Sequence, residues 1–185
     1  MEINEDEIIK DAIDGNKSTM GILFNMYAND AVKLAYFITS EWSTAEDAVQ
    51  EAFIRAFSHI KSFDRNKKFK PWFTKIVVNE AKRAGKRSAR HYCLEDVLDM
   101  KSDSDSLEYE VIGELSRQVL LEKINKLELK YRLPIILKYF SDLSEKEISQ
   151  VLVIPVTTVK ARLYKARQIL KNDLTAMEVG FQYER

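Results

Sequence analysis

The stretch Leu143–Leu170, LSEKEISQVLVIPVTTVKARLYKARQIL, decides the architecture. Ser144 followed by Glu147 fits a capping box, so a helix is predicted to start there. Leu143, Ile148, Val151 and Leu152 supply its apolar side. Pro155 comes after a brief turn, and its fixed φ suits the start of a second helix that Thr157 or a neighbour could cap. In that second helix Val156, Val159, Leu163, Ala166 and Leu170 fall in one narrow arc. Thr157, Ala161, Tyr164, Lys165 and Gln168 stand opposite, with Lys160, Arg167 and Lys171 on one flank and Arg162 on the other. Two short helices around a tight turn, the second with cations flanking a small polar face, match a helix-turn-helix in a DNA major groove. The flanking cations would meet phosphates and the central face would meet base edges.

Bulk composition narrows the alternatives. The chain has 185 residues and equal numbers of acidic and basic side chains, so net charge alone argues nothing for nucleic acid. Five glycines and three prolines suit long helices better than a turn-dense β protein. Cys93 is the single cysteine, which excludes an internal disulfide and a cysteine metal cluster. The acidic start MEINEDEIIK is not a secretory signal, and no apolar run is long enough for a membrane span, so a cytoplasmic location is expected. With two histidines, no glycine-rich phosphate loop and no metal-ligand cluster, neither enzymatic activity nor a cofactor or small-molecule substrate is expected.

Charge is unevenly distributed. KRAGKRSAR (82–90) is basic, whereas LEDVLDMKSDSDSLEYE (94–110) is acidic and rich in Ser and Asp. Helical periodicity covers about residues 5–88, lapses over about 89–112 and returns over about 113–171; the tail from Asn172 is weakly patterned. The expected fold is therefore all-α, with two small helical domains at 1–90 and 113–185 joined by a flexible acidic linker at 91–112.

The first block carries two features. In STAEDAVQEAFIRAF, Ser43 and Glu46 fit a capping box, and Ala45, Ala48, Val49, Ala52, Phe53 and Ala56 form an apolar stripe. Asp47, Gln50, Glu51 and Ile54 cluster on the other side, as a solvated face or a small mixed docking patch. In FDRNKKFKPWFTKIVVNEAKRAGKR, Pro71 suits a first helical turn, and Trp72, Phe73, Ile76, Val77 and Ala84 make the core side. Lys75, Asn79, Lys82 and Lys86 share one stripe. The preceding loop adds Arg65, Lys67, Lys68 and Lys70, with Phe63 and Phe69 interleaved. Cations track phosphates, aromatic rings hold unstacked bases and Asn pairs with base edges. Equally, Phe63 and Phe69 could be core and the lysines solvated.

Taken together, AEDAVQEAFIRAF…FDRNKKFKPWFTKIVVNEAKR and LEKINKLELKYRLPIILKYFSDLSEKEISQVLVIPVTTVKARLYKARQIL resemble the second and fourth regions of bacterial extracytoplasmic-function RNA polymerase sigma factors. The resemblance runs from about Ile8 to Leu170 and includes the order, the spacing and the acidic linker. It implies a non-catalytic promoter-specificity subunit whose partners are core RNA polymerase, promoter DNA and an anti-sigma factor, often membrane-anchored, in a stress or envelope response. It implies that Asp47, Gln50 and Glu51, with Ile54 beside them, bind core polymerase. It places Phe63 and Asn79 where the family captures a flipped base of the minus-ten element, with Lys75, Lys82 and Lys86 on the strand. Thr157, Thr158, Lys160, Ala161, Arg162, Tyr164 and Lys165 would face the minus-thirty-five element, and Lys138 would reach a phosphate. Two positions depart from the family pattern. Ala161 stands where Ser is common, and can still touch a thymine methyl. Val153 stands in the turn where Gly is common, and a β-branched side chain disfavours positive φ. An ordinary helix-turn-helix regulator would leave the Asp47–Glu51 patch idle, and a DNA-processing enzyme would need a nucleophile or carboxylate cluster absent from the sequence.

Overall fold

The computed structural model describes the backbone of residues 5–92 and 111–183, and side chains within 5–87 and 119–173. The expected linker and Cys93 therefore lie almost wholly outside the described residues. Among the described residues the regular structure is all helical: α1 Glu5–Ile13, α2 Lys17–Thr39, α3 Trp42–His59, a 3₁₀ turn Ile60–Ser62, α4 Phe69–Tyr92, α5 Val111–Lys126, α6 Leu129–Tyr139, α7 Glu145–Leu152 and α8 Val156–Tyr183.

The N-terminal half is a bundle of α2, α3 and α4, with α1 packed against α2. Asn16 starts α2 by accepting a hydrogen bond from the Ser18 backbone N–H at 3.0 Å. On α3 the predicted stripe is the buried one: Ala45, Ala48, Val49, Ala52, Phe53 and Ala56 are all in the core. Four of those six are alanines, whose small side chains let neighbouring helix backbones approach closely. Phe53 and Phe73 then fill the bundle centre with ring centroids 4.5 Å apart; burying each such ring is worth about 1.5–3 kcal/mol.

The start of α3 differs from expectation. The helix begins at Trp42, its N-cap is Glu41 rather than Ser43, and no side chain caps the backbone there. The hydroxyls of Ser43 and Thr44 donate instead to the Glu41 carboxylate. With the helix starting at Trp42, Ser43 lies inside the first turn rather than at its cap, and its hydroxyl proton goes to the nearby charged acceptor.

The C-terminal half contains the helix-turn-helix. The Ser144–Glu147 capping box forms as predicted: the Ser144 backbone N–H donates to Glu147 at 2.8 Å, and the Glu147 N–H donates to Ser144 Oγ at 3.3 Å. Val153 ends α7 with φ 55° and ψ 51°, so the β-branched residue does occupy the left-handed region. Ser149 Oγ donates to the Ile154 carbonyl at 2.6 Å and fastens the turn. Helix α8 packs on α6 and α7 through Val159, Leu163, Ala166 and Leu170. Its backbone continues to Tyr183, past the Asn172 limit read from the pattern. Leu174, Ala176, Met177, Glu178 and Gln182 are good helix formers even where an apolar stripe is absent.

The two halves touch. Helix α4 packs on α7, and α2 packs on α6. Phe37 and Phe140 meet with ring centroids 5.2 Å apart, and Lys68 Nζ lies 3.1 Å from Glu147 Oε1.

Candidate polymerase and nucleic-acid interfaces

The face of α3 opposite the core is open. Asp47, Gln50 and Glu51 are exposed, and Ile54 is 64% exposed among them. An isolated apolar side chain ringed by carboxylates and an amide has the composition of a protein-docking patch with a polar rim. Glu51 Oε1 lies 3.3 Å from Arg55 Nε, and that nitrogen also lies 2.9 Å from Glu80 Oε1 on α4. Arg83 closes the group by donating to both Glu80 oxygens, at 3.2 and 3.0 Å. Glu80 is the buried charge at the centre, 6% exposed. Sequence reasoning missed it. The Glu80–Arg83 spacing of three on a helix was a usable signal, but the Arg55 contact crosses between helices and leaves no trace in spacing.

On α4, Lys75, Asn79 and Lys86 are exposed along one stripe and Lys82 is half-buried. Asn79 shares a cleft with Trp72, Ile76, His59 and Ser62. Of the two readings open for Phe63, core ring or open ring, the structure shows a packed one. Phe63 is 7% exposed and packs on Trp72 and Phe69 with centroids 5.1 and 5.7 Å away. It supports the wall of this region, and Trp72, half-buried, is the ring that reaches the cleft beside Asn79. Phe69, 2% exposed, is core as well. The basic loop before α4 is partly neutralised: Arg65 pairs with Asp14 at 3.2 Å and Lys67 with Asp64 at 3.3 Å.

On α8 the face away from the core presents Thr157, Lys160, Ala161, Tyr164 and Lys165, all exposed, with Tyr164 at 61%. Thr158 and Arg162 are half-buried. Lys160 Nζ lies 3.8 Å from Glu145 Oε2, which steadies it within the helix-turn-helix. Lys138 sits half-buried in the last turn of α6; next to it, Tyr139 accepts a hydrogen bond from Arg167 at 3.3 Å. The structure thus divides the expected residues among an acidic–apolar patch on α3, a cationic stripe on α4 and a groove-sized face on α8.

Comparison with known proteins gives this division a meaning. Residues 23–91 match the family model described as Sigma-70 region 2, and residues 117–170 match Sigma-70, region 4. The ECF RNA polymerase sigma factor SigW of Bacillus subtilis is 35% identical over 184 residues, covering 94% of this chain and 98% of that protein. The chain belongs to the ECF sigma factors. The ECF RNA polymerase sigma-E factor of Haemophilus influenzae is 27% identical, covering 94% of this chain and 96% of its own. Among solved structures, CnrH in complex with the cytosolic domain of CnrY shares the fold at a TM-score of 0.69 and 23% identity, covering 93% of this chain and 97% of that one. The sigma factor RpoE of Bartonella quintana, solved with the anti-sigma factor NepR, shares it at a TM-score of 0.69 and 23% identity, covering 84% and 96%. Both sigma regions of this ECF sigma factor coincide with the two helical halves, so its surfaces sort into one region-2 set and one region-4 set.

Proposed function

We propose that this ECF sigma factor binds core RNA polymerase through the α3 patch of Asp47, Gln50, Glu51 and Ile54, and carries it to promoters read by its two halves. The observation that carries the reading is the exposure of that patch together with a cationic stripe and a groove-sized helix face on the same chain. In the minus-ten region, an extruded base enters the cleft beside Asn79 and stacks near Trp72. Stacking one base is worth about 1–3 kcal/mol, comparable to the cost of unstacking it, so binding alone can hold a strand open. Lys75, Lys82 and Lys86 bind the phosphates of that strand. In the minus-thirty-five region, Thr157, Ala161, Tyr164 and Lys165 face base edges, Lys160 and Arg162 flank them toward the phosphate walls with Thr158 beside them, and Lys138 reaches a phosphate.

The protein performs no bond chemistry of its own and works in the cytoplasm with polymerase at the nucleoid. An anti-sigma factor silences it in a stress or envelope response; the structural relative from Bartonella quintana was captured with such a partner. Run-off transcription with core polymerase, with and without this protein, tests the reading. A promoter-dependent transcript that appears only with the protein is expected; folded protein that yields none on genomic templates overturns it.

A further inference from the structure

The cleft beside Asn79 holds two hydrogen-bonding groups that the promoter reading leaves unused: His59 at the end of α3 and Ser62 at the end of the 3₁₀ turn. Both are exposed. Their protons are already committed. Ser62 Oγ donates to the His59 carbonyl at 2.7 Å, so lone pairs are what it has left to offer. His59 Nδ1 lies 2.9 Å from the Arg55 carbonyl, and a carbonyl can only accept. Nδ1 therefore carries the ring proton. Ser58 Oγ, 2.9 Å from the same nitrogen, sends its own proton to the Arg55 carbonyl as well. In the neutral ring this tautomer leaves Nε2 as an acceptor. The end of α3 and the turn after it thus bring two acceptors to the cleft.

From α4, Asn79 adds an amide that can donate through Nδ2, and Trp72 adds an aromatic surface. Arg55 and Arg83 line the same cleft, but both are tied to Glu80. An extruded base is read by hydrogen bonds to its Watson–Crick edge. The edge that suits two acceptors and an amide donor carries an amino group next to an unprotonated ring nitrogen. Adenine and cytosine have that edge; guanine and thymine instead carry a protonated ring nitrogen beside a carbonyl. We infer that the cleft selects an amino-type base, adenine or cytosine, and that His59, helped by Ser62, is the residue that determines this choice. The base amino group donates to His59 Nε2 or Ser62 Oγ, while Asn79 Nδ2 donates to the ring nitrogen. A carbonyl in the place of the amino group would set lone pair against lone pair, and a site built around such hydrogen bonds rejects a base that cannot make them. This inference rests on the minus-ten reading above and goes beyond it by naming the class of base.

Labelled oligothymidylates of about 12 bases test this, each carrying one central adenine, cytosine, guanine or nebularine, the last being adenine without its amino group. Their binding to holoenzyme is followed by fluorescence anisotropy at pH 8, where free imidazole is uncharged. The adenine probe is expected to bind at least about tenfold more tightly than the nebularine probe, and the cytosine probe more tightly than the guanine and all-thymine probes. His59→Phe should make adenine and nebularine equal while the helical circular dichroism is retained. His59→Gln, whose amide oxygen can still accept, should keep part of the difference. A His59 that only supports the fold would weaken every probe alike when replaced. Equal binding of adenine and nebularine by the unmodified holoenzyme overturns the inference, as does a difference that survives His59→Phe. Failure of every probe to bind would remove the minus-ten reading itself and this inference with it, so the two failures are distinguishable.

Discussion

Arg55 on α3 lies 2.9 Å from Glu80 on α4, joining the helix that carries the polymerase patch to the helix that carries the cationic stripe. Glu80 is buried and depends on Arg55 and Arg83 for its charge partners. Arg55→Ala leaves that carboxylate with one cation. The expected cost is about 1–3 kcal/mol, toward the lower end because Arg55 is 42% exposed. Thermal unfolding followed by circular dichroism should show the melting temperature of the N-terminal half falling by several degrees. An unchanged transition would mean that Arg83 alone satisfies Glu80.

Glu51→Lys addresses the patch itself. Glu51 is about half exposed and contributes nothing to the core, so folding should be unaffected. The substitution places a second cation beside Arg55 and inverts the charge offered to polymerase. Affinity for core polymerase, measured by fluorescence anisotropy of labelled sigma factor, should fall at least about tenfold, whereas Glu51→Gln should lose less. Equal affinities for all three forms would remove Glu51 from the interface.

Lys75 and Lys86 are exposed on one stripe of α4, free to follow a strand of phosphates. Replacing either with Ala should weaken holoenzyme binding to a single-stranded promoter oligonucleotide whatever its sequence. It should also reduce the slope of log affinity against log salt by about 0.7. Lys10→Ala, exposed on α1 and outside that stripe, serves as the control and should leave the slope as it is. A change in sequence preference with no change in slope would argue for base contacts instead.

How much of this was legible in the sequence follows the range of each interaction. The α3 stripe, the Ser144–Glu147 box and the α8 core arc depend on residues three to eleven apart, and spacing reveals those directly. Phe63 could be read as core or as an open ring, because its burial is decided by Trp72 and Phe69 folding over it. The same holds for Arg55 with Glu80 and for Phe37 with Phe140, 25 and 103 positions apart, whose partners are chosen by tertiary packing. The start of α3 differs for a local reason: the helix begins at Trp42 with Glu41 as its N-cap, which places Ser43 inside the first turn.

Val153 turns a departure from the family pattern into a stability experiment. It holds φ 55° with its side chain 73% exposed, so the left-handed backbone is strained and little packing compensates. The left-handed conformation costs a non-glycine residue about 1–2 kcal/mol, and glycine gives back about 0.5–1 kcal/mol through its freer unfolded chain. Val153→Gly should therefore stabilise the helix-turn-helix by roughly 0.5–1 kcal/mol. Urea unfolding would register this as a higher midpoint at constant slope. A lower midpoint would mean that the valine methyl groups make contacts worth more than the strain.

Glu147 gives α7 a dependence on acid. The Ser144 hydroxyl, donating at 2.6 Å, is the main cause that holds the Glu147 carboxyl below its ordinary value of 4.5, with the Ser144 N–H and Lys68 adding to it and burial opposing. A carboxyl whose folded pKa is depressed binds its proton more readily when unfolded. Its contribution is complete above the unfolded value and is lost as pH falls through the folded one. Stability of the C-terminal half should thus decline from about pH 5 downward, the window set by that ordinary value and the lower folded one. Glu147→Gln should be less stable than the unmodified chain at pH 7 and should converge with it in acid, because the amide can still accept from Ser144 but carries no charge to lose. Urea midpoints measured from pH 7 to pH 3 for both forms decide the matter; parallel curves would show that other carboxylates carry the acid response.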